Sequence, residues 1–99
     1  MRTTWLRSVR ITATVDEARD AIRGHLAQVE QFRQRGRLVW AAAFENDDGF
    51  VEAFRAEDRL EAAALAEASP LVSRGLCAWS LRRLAEDPGA ASVRDDDGR

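Results

Sequence analysis

The stretch from Thr14 to Gly36 constrains the chain most. Val15, Ala18, Ile22, Leu26, Val29 and Phe32 recur at spacings of three or four, the period of an amphipathic helix. Thr14 and Glu17 have the spacing of a capping box, in which the threonine oxygen takes the N3 amide and the glutamate reaches back to the cap amide. Asp16 and Glu17 favour the positive end of the helix dipole, Arg33 and Arg35 the negative end. Gly36 stops the helix, because glycine takes the left-handed turn that follows. The helix carries the sole histidine, His25, at the margin of the apolar stripe. A titratable ring there is either a packed core residue or the chemical centre of a pocket. Gly24 sits beside it, costing about 0.5–1 kcal/mol relative to alanine in mid-helix. A close approach of backbone or ligand would explain it, as would plain tolerance.

Strand patterns flank this helix. From Trp5 to Ala13, Trp5, Val9, Ile11 and Ala13 fall on one face and Leu6, Ser8, Arg10 and Thr12 on the other. Arg7 interrupts the first face, which predicts an exposed or edge position for the strand's early end. Leu38 to Phe44 is a continuous apolar run, short for a helix and suited to a strand covered on both faces. Glu45 to Gly49 is rich in turn formers, and Phe50 to Arg55 completes an antiparallel hairpin. Asp58 caps a second helix, with Glu61 at capping-box spacing; the helix is rich in alanine and stops at Ser69-Pro70. Leu71 to Gly75 allows a short helical turn, and Leu76 to Leu84 is the last strand.

The order β-α-β-β-α-β predicts an α+β, ferredoxin-like domain over residues 1–85: a four-stranded antiparallel sheet with two helices on one face. Residues 86–99 turn to aspartate, glycine and small residues, the pattern of a disordered acidic tail. Asp95-Asp96-Asp97 reads as a solvated run, since three consecutive flexible carboxylates lack a preorganised metal cage. Two helices cover one sheet face only, so the other would expose an apolar patch, and a sheet-to-sheet homodimer is expected.

Fifteen basic residues, every one an arginine, and seventeen acidic ones give a net charge of −2. No sign is concentrated in the folded part, which argues against a nucleic-acid partner. The single cysteine, Cys77, allows no intrachain disulfide and fits a reducing setting. No apolar run approaches the roughly 20 residues that span a bilayer, so no membrane partner and a cytoplasmic location are expected. No zinc-type spacing, phosphate loop or nucleotide fingerprint occurs, and no cofactor is expected.

Three segments together resemble the YCII-like family. They are Gly24-His25-Leu26-Ala27-Gln28-Val29 leading to Arg35-Gly36-Arg37-Leu38, then Glu61 to Val72, and then Gly75-Leu76 with Ala78-Trp79-Ser80-Leu81-Arg82. The resemblance covers roughly residues 5–84. It implies a dimeric ferredoxin-like α/β barrel and a site formed by the helix histidine and an aspartate before the helix-ending proline. It also implies activity on aromatic compounds in some relatives, including a dehydrochlorinase type. His25 matches the family histidine; the aspartate position is Ser69, and Ala42-Ala43 stand where the family often has Gly-Pro.

Two functions stay open on these residues. One is a cofactor-independent acid–base enzyme of isomerase, lyase or dehydrochlorinase type, with His25 as acid or base and Ser69 as its polar neighbour, acting on a small aromatic or acidic organic molecule. The other is a non-catalytic dimeric ligand-binding or assembly module that has lost the His-Asp pair. An open cavity reaching His25 favours the first. Trp40, Trp79 and Phe54 are candidate aromatic walls, with core or dimer packing the commoner role. Arg7, Arg10 and Arg82 are candidate carboxylate forks, with exposure at strand ends the bland alternative. Cys77, beside Trp79 and Leu81, reads as structural.

Overall fold

A computed structural model of the chain describes residues 2–85. The acidic tail expected over residues 86–99, including Asp95-Asp96-Asp97, lies outside them. The elements are β1 (Thr3–Ile11), α1 (Val15–Gln34), β2 (Leu38–Ala43), β3 (Gly49–Ala56), α2 (Arg59–Glu67), α3 (Pro70–Ser73) and β4 (Cys77–Arg83). The strands form one antiparallel sheet in the order β2-β3-β1-β4. This is the ferredoxin-like arrangement, with each βα unit split by an intervening strand.

Local chemistry sets the boundaries. Thr14 caps α1 with both bonds of the capping box in place. Gly36 follows the helix with φ of 72° and satisfies the left-handed turn. Asp58 caps α2 through Glu61 N–H, but the Glu61 carboxylate reaches the amide of Glu57 instead of the cap residue's own, so this box is half formed. Ser69 caps α3 by accepting from Leu71 N–H, with Pro70 in the first turn, where a missing N–H costs nothing.

Three expectations change. First, β1 is an interior strand, paired with β3 on one side and β4 on the other, and Arg7 is fully buried rather than exposed at an edge. Second, β2 is an edge strand whose residues Val39 to Ala43 are exposed; the run is apolar without being covered on both faces. Third, α1 is rotated relative to its most hydrophobic stripe. It buries Ala18, Ala21, His25, Val29 and Phe32, while Val15 and Leu26 face outward at 71% and 48% exposure. His25 therefore stands in the middle of the buried face, not at its margin. Gly24 explains part of the rotation. A Cβ there would lie 2.6 Å from Pro70 Cγ, so the glycine lets α1 and α3 meet at that point.

The core divides into two clusters under the helices. Trp5, Phe32, Phe54, Ala56, Ala62 and Ala66 form one; Val9, Ala18, Ala21 and Leu71 form the other. The side chains between these clusters are polar: Arg7, Glu52, His25 and Ser69 are all buried.

Candidate functional site

The site begins with strand register. Arg7 and Glu52 face each other directly across the β1–β3 ladder. Both alternate with apolar neighbours, Trp5 and Val9 on β1, and Phe50 and Phe54 on β3, so both point toward the helices. The Arg7 Nε donates to Glu52 Oε1 at 2.7 Å, and Arg7 Nη1 donates to Gln28 Oε1 at 2.8 Å and to the Ala66 carbonyl at 3.0 Å. Arg7 Nη2 has no hydrogen-bond partner. The guanidinium also lies 5.7 Å from the Phe32 ring centroid, and Gln28 is held in turn by donating to the Leu65 carbonyl at 2.7 Å.

α1 brings His25 onto this pair. Its Nε2 is 2.7 Å from Glu52 Oε2 and its Nδ1 is 2.7 Å from Ser69 Oγ. The network assigns the ring proton. Ser69 Oγ already accepts Leu71 N–H at 3.2 Å, so its own proton is free for Nδ1. Nε2 then carries the ring hydrogen and donates it to Glu52. The ring thus links a hydroxyl to a carboxylate, and Arg7 and Glu52 are buried beside it as a pair of opposite charges. Burial pushes the Glu52 carboxyl up, but the His25 hydrogen bond, the charge of Arg7, that of His25 whenever its ring is protonated, and the Arg7 hydrogen bond outweigh it and hold the group below its ordinary value.

Phe50 stacks on the imidazole with ring centroids 5.0 Å apart and 24° between planes. Beyond it a cleft of about 210 Å3 opens between α1 and the β2 edge. Leu26, Val29 and Arg33 line it from the helix, Ala41 to Ala43 from β2, and Phe50 and Glu52 from β3. The cavity thus reaches Glu52 and Phe50, which both touch His25, while the imidazole stays behind them. Small side chains at Ala41 to Ala43 keep the cleft open.

The structure brings His25 and Ser69 together across 44 positions of sequence. It adds Glu52, which takes up Arg7, a candidate fork for a ligand carboxylate, as an internal ion pair; the signal for both was a charge on the apolar face of a strand. The candidate aromatic walls do not line the cleft. Phe54 is buried against Phe32, with ring centroids 5.2 Å apart, and in the β2–β3 register Trp40 sits opposite Ala53, on the face away from the helices. Trp79 is on edge strand β4. Phe50 takes the role instead. Arg10 and Arg82 are exposed, the bland alternative. The thiol of Cys77 is pushed up by burial, which outweighs the lowering effect of Arg7, and this fits a structural cysteine. Among the described residues no helix is long and apolar enough to cross a membrane, and no group of three histidine, cysteine or acidic side chains is placed to hold a metal ion.

No protein-family model and no curated protein sequence matches the chain. Ten chains of solved structures resemble it, among them the following two. One is the 5-chloro-2-hydroxyhydroquinone dehydrochlorinase TftG from Burkholderia phenoliruptrix AC1100, in complex with 2,5-dihydroxybenzoquinone. It matches with a TM-score of 0.70 at 18% identity, over 86% of this chain and 96% of that one. The other is MtbAldR, with a TM-score of 0.52 at 14% identity, over 92% of this chain and 57% of that one. At these identities the likeness is one of fold, and the fold carries many unrelated activities.

Proposed function

We propose that the chain is a small YCII-like protein whose cleft between α1 and β2 binds a small hydroxylated aromatic molecule and moves a proton on it without a cofactor. The observation that carries this reading is the Ser69–His25–Glu52 chain of hydrogen bonds ending at the cavity floor. The family aspartate is absent at Ser69, yet the imidazole still has a carboxylate partner, Glu52, on its other nitrogen. A carboxylate kept ionised accepts a hydrogen bond from a ligand hydroxyl, and the imidazole behind it is the group that takes up or returns a proton. Ser69 fixes the ring's orientation and tautomer. The dehydrochlorinase TftG, a protein of the same fold, acts on a hydroxylated aromatic ring, which supports this substrate class.

The test is NMR of the His25 ring, unambiguous because the chain has a single histidine. Catechol added to the protein is expected to shift the ring signals. An Ala41→Leu variant, which fills the cleft from an exposed edge strand, is expected to abolish the shift with the fold intact. Ring signals that ignore catechol at millimolar concentration would leave the polar cluster a structural feature, and the assembly-module reading would stand in its place.

The second part of the proposal is a homodimer formed through the sheet face opposite the helices. Leu6, Trp40, Val51 and Ala53 meet on that face through the β1–β3 and β2–β3 registers. Trp40 is 46% exposed there, and monomers rarely leave such a patch bare. Sedimentation at micromolar concentration is expected to give a species of twice 11.0 kDa; a monomer alone would overturn this part.

A further inference from the structure

We infer that the cleft is built for a monocyclic aromatic anion that also carries a hydroxyl group, with the hydroxyl on Glu52 and the anionic group on Arg33. The inference rests on the reading of the cleft as a ligand site and adds the chemistry of its two ends. Two charged side chains line the cavity, and they stand at different levels of α1. Glu52 is at the level of His25, to which it is bonded. Arg33 is two turns further along, about 12 Å of axial rise. Long helical side chains lean back toward the N-terminus, which brings the guanidinium toward the cleft.

The two ends demand opposite chemistry. Each Glu52 oxygen accepts one hydrogen bond, Oε1 from Arg7 and Oε2 from His25, and a carboxylate oxygen can accept two. Glu52 is ionised, so the ligand group that meets it must donate, and an anion there would face a like charge. Arg33 uses only Nε, toward Glu30 at 3.3 Å, and its Nη1 and Nη2 have no hydrogen-bond partner among the described residues. That leaves two guanidinium nitrogens with donors for a ligand at the cleft, and a guanidinium fork suits a carboxylate. Between the ends the walls are apolar: Leu26, Val29 and the Phe50 ring. A dry cavity of about 150 Å3 holds benzene, so 210 Å3 has room for one ring with two substituents.

Calorimetric titration with 4-hydroxybenzoate, 4-hydroxybenzamide and benzoate tests this, with the His25 ring signals followed in parallel. 4-Hydroxybenzoate is expected to bind about tenfold more tightly than either analogue, the effect of losing one well-formed polar contact. Arg33→Gln is expected to erase the preference for acid over amide, chiefly by weakening the acid. Arg33 is exposed, so the substitution keeps the fold. Equal binding of acid and amide, or a preference that survives Arg33→Gln, overturns the inference; if the amide still moves the His25 ring, the ligand-site reading survives alone. If no compound binds and the ring does not respond, both readings fall.

Discussion

A Glu52→Gln variant is expected to lose about 3–5 kcal/mol of stability, the cost of removing one partner of a buried ion pair. Arg7 would keep its charge with its side chain at 0% exposure, and its remaining partners, Gln28 and a carbonyl, are neutral. His25 Nε2 would also exchange a carboxylate for an amide. A small domain has about 5–15 kcal/mol in total, so the variant would be marginal at room temperature. Denaturant unfolding measures the difference. A loss below about 1 kcal/mol would show that the pair behaves as a solvated surface bridge. A double variant, Arg7→Leu with Glu52→Leu, removes both charges and is expected to recover much of the loss, because two buried apolar side chains leave no unpaired charge.

The same pair gives the protein an acid limit. The Glu52 carboxyl sits below its ordinary value in the fold, so its contribution to stability is complete above the unfolded value, near pH 4.5. It is lost as pH falls through the lower folded value. Other carboxylates titrate in the same range, and Glu61, held low by hydrogen bonds from the Glu57 amide and Arg37, is one. The difference between wild type and the Glu52→Gln variant isolates Glu52. That gap is expected to be widest above pH 5 and to narrow below pH 4.5. A gap independent of pH would mean that the carboxyl's proton affinity does not change on folding.

Elements were legible in this sequence because their signals are local. The Thr14–Glu17 box, Gly36 and the Ser69-Pro70 stop each act within a few residues, and the structure has an element boundary at each. The polar centre was only half legible. The resemblance joined His25 to Ser69, but Arg7 and Glu52 become intelligible only as a pair. Taken singly, Arg7 between Trp5 and Val9 breaks a strand's apolar face, and the local remedy is to send that end to solvent. The β1–β3 register supplies the other remedy, an opposite charge directly across the ladder. Register joins residues 45 apart and leaves no periodic trace. The helix stripe misled for a related reason. Hydropathy weights Val15 and Leu26, whereas close packing favours Ala18 and Ala21, and the contact of Gly24 with Pro70 together with the His25–Glu52 bond sets the helix's rotation.

Gly49→Ala is expected to be the other severe substitution, with a loss of about 3 kcal/mol, at the upper end for overpacking. A Cβ added at this position would run into the Val9 carbonyl oxygen, with the Val9 carbonyl carbon and Arg10 Cα only 2.9 and 3.1 Å away. These are backbone atoms of the neighbouring strand, so no side-chain rotation relieves the contact. The strands would have to part where Gly49 faces Arg10, three rungs from Glu52 and Arg7. The damage should therefore reach the site: the His25 ring signals are expected to shift in the variant even without ligand. Gly36→Ala is the control. Gly36 has φ of 72° but nothing within 4 Å of a built Cβ, so its substitution carries only the backbone strain of a left-handed residue, about 1 kcal/mol. It should leave the ring signals in place. Equal losses for the two variants in urea unfolding would mean that β1 and β3 separate easily at Gly49, and the register could not then be what holds Arg7 against Glu52.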